Sequence, residues 1–378
     1  FFKKVLCEYF TRTKERNMSE YSSFLPGFSI EQTGFDSISK MIRTGSHIAI
    51  LGGNTATLKA KIGLINALEK RELSFFWTGG ECNQSNHDRL VQDIHIQNCD
   101  WIIGVGGGRA LDLSKWVADS LQKPILCVPT VASTCAACSS VSVIYDDEHQ
   151  FVRIHELAQA PQHVVLNTSI LVEAPPKYLH AGIGDAISKP LEIAFSGKNR
   201  AWSYTNWMGK TIAEGALHVL LEQGEAAYQS NLNQIVDSAF KNIVCSIIMG
   251  IGHASILVEE DYNSALAHAL YNALMRIEGV KGYPHGVIVS YGVLVQCLID
   301  EDQSRFKQLY SFYRTLALPI SLEGIGCSIE HPELGCVIEH ALQMPDCKLV
   351  AKELSVTQVF NAMRMLEDIN NERVSKGV

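Results

Sequence analysis

The chain contains 378 residues, of which 47% are apolar and 19% are charged, as in ordinary soluble globular proteins. Because a single hydrophobic core usually stops growing at about 250–300 residues, this length indicates two domains. The 32 Lys and Arg residues are outnumbered by 40 Asp and Glu residues, which gives a formal net charge of -8. This balance argues against a nucleic-acid partner. No run approaches the roughly 20 apolar residues of a membrane span, so no membrane partner is expected.

The first residues lack a starting Met and a long apolar core, so they do not resemble a secretory signal. Met18 opens a segment, MSEYSSFLPGF, that looks like a natural start, and we interpret residues 1–17 as upstream sequence. The 11 Cys residues are dispersed, and several lie in apolar runs, such as Cys127 in ILCVP and Cys245 in NIVCSII. These observations favour free, buried thiols and a cytoplasmic location.

From His47 to about Asn167, short apolar runs alternate with longer amphipathic segments. The predicted strands are HIAILGG, LSFFWTGG, WIIGVGGG, PILCVPT, SVSVIY and HVVLNTSIL, and the intervening helices include TATLKAKIGLINALEK and HDRLVQDIHIQN. This alternation is typical of a parallel sheet with helices on both faces. Long helical patterns take over after Ala174-Pro175-Pro176. We predict an α/β nucleotide-binding domain over residues 18–173 and an all-α domain over residues 174–378.

Three adjacent glycines, Gly106, Gly107 and Gly108, stand with Arg109 between a predicted strand and a predicted helix. Glycines at such a turn let backbone N–H groups approach an anion, and the helix N-terminus supplies partial positive charge, so the turn suits a pyrophosphate. The fingerprint G-x-G-x-x-G is not met because Arg109 replaces its last Gly, and no Walker A motif follows. A tight turn without a ligand is the alternative.

The segment 129–140, PTVASTCAACSS, follows the next predicted strand, where ligand-binding loops of open α/β sheets collect. Its hydroxyl groups can bind ribose, amide or phosphate groups, or alternatively satisfy the backbone of the loop itself. A redox or zinc role for Cys135 and Cys138 is disfavoured because no second Cys/His pair lies nearby in the sequence.

Three candidate metal ligands lie in the later half of the chain: Asp185 in AGIGDA, His268 in ALAHALYN and His285 in YPHGV. One carboxylate and two imidazoles form a mixed set that Zn²⁺ or Fe²⁺ accepts with positions left open for a substrate oxygen. The spacing alone is weak support, because 13 His residues are present and a single His on an apolar helix is often a packed core residue.

Five motifs, taken in order, resemble those of the metal-dependent group III alcohol dehydrogenases, in particular the glycerol dehydrogenase-like branch. They are GGGRALDLSK, PTVASTCAACSSVSVIY, LVEAPPKYLHAGIGDAISK, HALYN and PHG. The resemblance covers the chain from about residue 25 onward. It implies an N-terminal α/β dinucleotide-binding domain, a helical C-terminal domain and an active site in the cleft between them, as in the dehydroquinate synthase-like fold. It also implies an enzyme that transfers a hydride reversibly between NAD or NADP and a small hydroxylated substrate.

The resemblance carries roles to individual positions. Asp185, His268 and His285 match the three ligands of one divalent metal, with zinc as the expected ion and iron as the alternative, and catalysis would act through that metal. The positions that match dinucleotide contacts are Gly106, Gly107, Gly108, Arg109, Asp112, Thr130 and Ser133, followed on the nicotinamide side by Ser139, Val141 and Tyr145. We also expect a homo-oligomer.

Two positions depart from the glycerol dehydrogenase pattern. Cys135 stands on the substrate side where that pattern has an Asp that contacts the polyol, so a small diol or a 2-oxo or 2-hydroxy acid competes with glycerol as the expected substrate. The run Leu51-Gly52-Gly53-Asn54 lacks the carboxylate that NAD-selective members often place after this strand, so NADP is tolerated. The alternative functions are a dehydroquinate synthase-like lyase, a glycerol-1-phosphate dehydrogenase and a non-catalytic nucleotide sensor.

Overall fold

The computed structural model describes residues 24–350 and 354–376, so the segment 1–17 lies outside the described residues. Within the described part, the first half alternates strands with helices and the second half is helical, as the sequence predicts. The strands are β1 (Gly27–Glu31), β2 (His47–Gly52), β3 (Glu72–Trp77), β4 (Trp101–Gly106), β5 (Ile125–Pro129), β6 (Val141–Tyr145), β7 (Phe151–Glu156) and β8 (His163–Asn167).

Six of these strands form one parallel sheet in the order β1-β8-β5-β4-β2-β3. The run SVSVIY does form a strand, but β6 pairs antiparallel with β7 in a separate two-stranded sheet. The alternation of buried and partly exposed residues in β6 explains the difference, because a central parallel strand is buried on both faces. By contrast, the residues of β5 are all buried.

The helices of the first half cover the two faces of the parallel sheet. They are α1 (Asp36–Met41), α2 (Asn54–Ala67), α3 (Gln84–Val91), α4 (Ile94–Gln97), α5 (Gly108–Ser120) and α6 (Thr168–Val172). Polar caps fix where three of them begin: the Asn83 side chain accepts from the Asn86 N–H, Asp93 accepts from the His95 and Ile96 N–H groups, and Asn167 accepts from the Ile170 N–H.

The sheet has a topological switch point between β2 and β4. From β2 the chain moves outward to β3 and then returns to β4 on the opposite side of β2. In open α/β sheets, ligands bind in the crevice at the carboxyl ends of the strands at such a point. The turns that follow β2 and β4 are the two glycine-rich runs, which places Gly53 and Gly106 at this crevice.

The second half consists of long, mostly buried helices. They are α7 (Pro176–Ser196), α8 (Tyr204–Leu232), α9 (Ser238–Cys245), α10 (Ile251–Leu257), α11 (Leu266–Leu274), α12 (His285–Ile299), α13 (Gln303–Leu316), α14 (Leu334–Leu342) and α15 (Val356–Lys376). Pro176 begins α7, where a missing backbone N–H carries no cost. The proposed domain division at residue 174 falls between α6 and α7.

A π-helical turn, Ser246–Gly250, joins α9 and α10 into one apolar helical segment, Ser238–Leu257. We expected no segment long and apolar enough to span a membrane, and this expectation is wrong for Ser238–Leu257, which has a window of mean hydropathy 1.5. However, 56% of that window is buried inside the protein, where α9 and α10 both pack on α8. The core helix of a folded domain meets the same criteria of length and composition, so the segment is weak support for a membrane span.

The loop after β5 joins the two halves of the molecule. Gly182 on α7 lies so close to this loop that an added Cβ would stand 2.0 Å from the Ala132 carbonyl oxygen. Gly252 on α10 packs similarly on Cys138, whose Sγ would stand 2.7 Å from an added Cβ. These close approaches require glycine and bring the loop onto α7, which carries Asp185, and onto α10.

Candidate metal and dinucleotide site

The three candidate ligands come from three different helices and meet at one point. Asp185 lies in the middle of α7, His268 lies in the first turn of α11, and His285 is the first residue of α12. Asp185 Oδ1 is 3.1 Å from His285 Nε2 and 3.7 Å from His268 Nε2. One donor atom from each residue lies within 4.8 Å of the other two. The sequence spacing could not show this convergence, because more than 80 residues separate Asp185 from His268.

Glycines in the words AGIGDA and PHG allow α7 and α12 to pack closely enough for this geometry. An added Cβ on Gly286 would stand 1.9 Å from the Ala181 carbonyl oxygen and 2.8 Å from the Asp185 Cβ. An added Cβ on Gly184 would stand 2.5 Å from the Gly286 carbonyl oxygen. Any side chain at either position would therefore force the two helices apart and separate Asp185 from His285.

Glu192, two helical turns after Asp185, was not identified from the sequence. Its side chain is fully buried, and its Oε2 lies 2.6 Å from His268 Nδ1. Oε1 accepts hydrogen bonds from the backbone N–H groups of Ala265 and His268 at 2.9 and 3.0 Å. Because Nδ1 donates to Glu192, the Nε2 atom of His268 is the nitrogen left to face Asp185. Its position seven residues after Asp185 was the available signal, since such residues share a helix face.

The electrostatics of the site favour a cation. Burial raises the pKa of Asp185, but His285 and His268 outweigh it and hold that pKa well below the usual range. Burial lowers the pKa of His268, but the Glu192 and Asp185 carboxylates outweigh it and raise the pKa to about 10. The cluster therefore presents the buried Glu192 carboxylate and the partly exposed Asp185 carboxylate to imidazole nitrogens, a setting in which positive charge is stabilised.

The donor set fits a divalent metal ion. One carboxylate oxygen and two Nε2 atoms form a mixed oxygen and nitrogen set, and the Glu192 contact fixes the tautomer of one imidazole. The Tyr271 ring packs edge-on against the His285 ring with a centroid distance of 4.2 Å, which restricts the orientation of the second imidazole.

The glycine turn lies at the switch point of the sheet. Gly106 has a φ of +153°, and an added Cβ would stand 2.7 Å from the Ala110 Cβ and 3.9 Å from the Gly53 backbone N. The two glycine-rich turns therefore face each other at short range. Gly107 precedes the first turn of α5, which begins at Gly108, so the N-terminus of this helix, where backbone N–H groups lack intrahelical partners, lies at the glycine turn.

Arg109 is the second residue of the same helix, and its side chain is half exposed. Its guanidinium forms an ion pair with Glu81 and lies 5.7 Å from the centroid of the Tyr145 ring. Glu81 also contacts His149 Nδ1 at 3.1 Å. The structure thus brings Arg109 and Tyr145 together beside the glycine turn. In this arrangement the positive charge of Arg109 is already paired with the Glu81 carboxylate.

The loop after β5 covers the glycine turn. The Thr130 N–H donates to the Gly106 carbonyl oxygen at 3.0 Å, and an added Cβ on Gly108 would meet the Thr134 hydroxyl at 3.4 Å. Ser133 and Cys135 are partly exposed in this loop. The loop therefore contacts the glycine turn through Thr130 and Thr134 and packs on α7, the helix of Asp185, through the Ala132 carbonyl.

Asp112, Ser139 and Val141 are engaged with a buried lysine. Asp112 lies in the second turn of α5, which begins at Gly108. Lys115 is fully buried, with Nζ 3.0 Å from both Asp112 Oδ1 and Ser139 Oγ, and it also donates to the Val141 carbonyl. Asp112 Oδ2 accepts from the Val143 N–H. These groups connect α5 to β6, so they shape the wall of the crevice through their contacts with one another.

Comparison with known proteins agrees with this architecture. A family model described as "Iron-containing alcohol dehydrogenase" matches residues 32–168. The glycerol dehydrogenase of Thermotoga maritima is 35% identical over 255 residues, which cover 66% of this chain and 68% of that protein. Hydroxycarboxylate dehydrogenase A of Escherichia coli K12 is 33% identical over 269 residues, 70% of this chain and 73% of that protein.

A crystal structure of glycerol dehydrogenase from Schizosaccharomyces pombe superposes on this chain with a TM-score of 0.80 at 27% identity, covering 94% of this chain and 93% of that one. This likeness confirms the fold class predicted from the sequence, an α/β sheet domain followed by helices. The resemblance drawn from the motifs is also confirmed by sequence relatives, because the alignment with this chain covers more than two thirds of the length of each. The chain belongs to the iron-containing alcohol dehydrogenase family, whose members are metal-dependent alcohol oxidoreductases.

Proposed function

We propose that this protein transfers a hydride reversibly between a nicotinamide dinucleotide, NAD or NADP, and a small substrate that carries a hydroxyl group on the reacting carbon. The convergence of Asp185, His268 and His285 within 4.8 Å is the observation that carries this proposal. When bound there, a divalent metal would polarise the substrate oxygen and stabilise its negative charge. Zinc is the proposed ion and iron the alternative, because both accept one carboxylate with two imidazoles.

The residues around the cluster have separable tasks in this proposal. Asp185 supplies the negative charge of the site, and the close packing of α7 on α12 keeps it next to His285. Glu192 keeps the Nδ1 proton of His268 in place, so that Nε2 stays available as a ligand. Tyr271 limits rotation of the His285 ring.

The dinucleotide would lie across the switch point of the sheet. The N–H groups at Gly107 and Gly108 and the N-terminus of α5 would hold the pyrophosphate. Thr130 and Ser133 would contact the nucleotide from the covering loop, and Ser139, Val141 and Tyr145 would form the nicotinamide side, with the wall fixed by the Lys115 contacts. In this arrangement the protein would set the distance between the nicotinamide ring and the substrate and the charges around them, and the cofactor would carry out the hydride transfer.

The substrate would bind beside the part of the covering loop that carries Cys135. Cys135 stands on the substrate side as a neutral thiol, and burial raises its pKa, so it brings no negative charge to the site. We therefore propose a small diol or a 2-oxo or 2-hydroxy acid in preference to glycerol. A cytoplasmic location and a homo-oligomer complete the proposal; the described Cys residues are all free, which agrees with a reducing compartment.

The test is a screen at 340 nm with purified protein supplied with Zn²⁺ or Fe²⁺ and with each dinucleotide. The substrates are glycerol, small diols and 2-oxo acids, and sugar phosphates and glycerol 1-phosphate serve as probes of the lyase and phosphate-dependent alternatives. We expect weak glycerol oxidation and faster turnover of a diol or 2-oxo acid. His268→Ala should abolish turnover and leave dinucleotide binding, measured by fluorescence, nearly intact. Full activity of His268→Ala would remove the metal cluster from the mechanism.

A further inference from the structure

The face of α7 that carries Asp185 also carries a lysine. Between Ala181 and Pro190 every residue of α7 is buried except Asp185 and Lys189. These two residues are four positions apart, which places them on one helix face with a rise of about 6 Å between them. Because the remainder of this stretch is enclosed by protein, the partial exposure of both side chains indicates that they border the same open space.

The Lys189 ammonium is held in place from the far side. Its Nζ donates to the Asn263 carbonyl oxygen and lies 3.3 Å from the Asn263 Oδ1. Asn263 is itself fixed, because its Nδ2 donates to the carbonyl oxygens of Ser255 and Val258 at 3.0 and 3.1 Å. An ammonium group has three N–H donors, and two acceptors are supplied here. The third N–H of Lys189 can therefore donate to a ligand while the two contacts with Asn263 are kept.

The Cys135 thiol lies within the field of both charges. Burial raises the pKa of this thiol, the positive charge of Lys189 lowers it, and the negative charge of Asp185 raises it. Cys135 also packs near Gly252 on α10, where an added Cβ would stand 3.6 Å from the Cys135 Cβ. The charges of Lys189 and Asp185 therefore both act on the thiol at the substrate-side position of the covering loop.

We propose that Lys189 is the residue that binds the carboxylate of a 2-oxo or 2-hydroxy acid, while the oxygen on the adjacent carbon faces Asp185, His268 and His285. This inference rests on the proposed dehydrogenase function and specifies its substrate class. A carboxylate needs a fixed cation, which Lys189 supplies, and the thiol at Cys135 adds no further negative charge from the covering loop. An uncharged polyol would gain little from the ammonium.

A purely structural role for Lys189 makes a different prediction. In that case its bonds to Asn263 would matter, and their loss would affect all substrates equally. Lys189→Gln is the informative variant, because an amide can still donate to Asn263 but carries no charge. Lys189→Arg retains the charge. Lys59→Gln, which removes a half-exposed ion-pair partner of Glu173 on the surface of the first half, is the matched control.

The kinetic test uses pyruvate and hydroxyacetone, two ketones of similar size that differ in the carboxylate. We measure the ratio of their kcat/KM values for each variant with the metal and reduced dinucleotide present. Lys189→Gln should lower the ratio of pyruvate to hydroxyacetone by roughly 10- to 100-fold, the loss expected for one charge-assisted hydrogen bond. Lys189→Arg should recover most of the ratio, and Lys59→Gln should leave it unchanged.

A binding test separates recognition from turnover. Titration calorimetry of oxamate, an unreactive analogue of a 2-oxo acid, should show about 10-fold or greater loss of affinity in Lys189→Gln. Cys135→Asp should also weaken oxamate binding, because it adds an anion to the same space. An unchanged pyruvate to hydroxyacetone ratio, or unchanged oxamate affinity, would overturn the assignment of Lys189. Failure of the wild-type protein to turn over any ketone or alcohol would instead overturn the dehydrogenase proposal itself.

Discussion

Glu192 contacts His268 in two ways: its Oε2 lies 2.6 Å from Nδ1 of the imidazole ring, and its Oε1 accepts the His268 backbone N–H at 3.0 Å. The carboxylate thereby fixes both the ring and the start of α11. Because Glu192 and Asp185 share one face of α7, a single rigid helix sets the distance between the ligand Asp185 and the group that orients His268.

The first prediction concerns this contact. Glu192→Gln keeps the size of the side chain but removes the charge that holds the Nδ1 proton. We expect the metal affinity to fall about 10- to 100-fold, as found when groups that orient metal ligands are removed. The measurement is a competition titration with a chromophoric zinc chelator.

The matched control is Glu214→Gln, which removes an exposed carboxylate paired with Lys210 on α8. It should bind metal like the wild-type protein. Circular dichroism melts of both variants establish that they are folded. Equal metal affinity in Glu192→Gln and wild type would show that the contact has no part in metal binding.

Much of the fold was predictable because periodicity depends on local burial. The alternation of short apolar runs with amphipathic ones correctly predicted the parallel strands β2, β4 and β5, whose residues are nearly all buried. The pairing partner of β6 was not predictable, since its residues alternate in burial and its partner β7 has mostly exposed residues. Strand pairing is a non-local property that a single pattern does not encode.

The candidate site was likewise predictable only in part. Motif words identified Asp185, His268 and His285, but their convergence depends on close helix packing at Gly184 and Gly286, which spacing along the chain does not reveal. The Lys115 network was missed because a lysine in an amphipathic helix is normally interpreted as solvent-exposed. Its partners Ser139 and Val141 lie 24 and 26 residues later in the chain, so only the three-dimensional structure brings them to the lysine.

A second prediction concerns the choice between NAD and NADP. Gly52 has no room for a side chain, because an added Cβ would stand 2.3 Å from the Thr57 hydroxyl oxygen. At Gly53 the nearest atom to an added Cβ is the Ala56 Cβ, at 4.0 Å. Gly53→Asp should therefore fold, since Asp also suits the cap position before α2, and its charge should repel a 2′-phosphate.

The measured quantity is the ratio of kcat/KM for NADP to that for NAD, which we expect to fall at least about 10-fold in Gly53→Asp, because like charges at close range disfavour binding. Gly53→Asn has the same size without the charge and should change the ratio little. An equal change in both variants would assign the effect to bulk and not to charge.

A third prediction concerns pH and stability. Burial lowers the pKa of His180, whose Nε2 donates to the Leu316 carbonyl oxygen at 2.8 Å. Because the folded state binds this proton less readily than the unfolded state, the contribution of His180 to stability is lost as pH falls from the ordinary value near 6.5 towards the lowered pKa. His180→Gln can keep the hydrogen bond but cannot titrate.

The check is the free energy of unfolding in urea between pH 7.5 and 5 for wild type and His180→Gln. Their difference should change with pH, with the wild type losing relatively more stability at acid pH, by up to about 1.4 kcal/mol for each unit by which the pKa is lowered. Subtraction of the two curves removes the other titrating groups, including His268. Parallel curves would contradict the prediction.

The last prediction concerns the buried pair Lys115 and Asp112. The Lys115 side chain is fully enclosed and connects Asp112 on α5 with Ser139 and the Val141 carbonyl at the start of β6. Lys115→Met would leave the Asp112 carboxylate buried without its cation, although burial already raises the pKa of that carboxyl. We expect a loss of about 3–5 kcal/mol in the free energy of unfolding, because an uncompensated buried charge is costly.

The double variant with Asp112→Asn and Lys115→Met removes both charges, so it should be more stable than Lys115→Met alone. Its dinucleotide affinity should nevertheless stay weaker than that of the wild type, since the segment from Ser139 to Val143 loses the lysine that fixes it. Urea unfolding and fluorescence titration with reduced dinucleotide measure the two effects separately. If the double variant regained stability and also bound dinucleotide normally, the pair would serve folding alone, and the shape of the nicotinamide side would have to be fixed by other contacts.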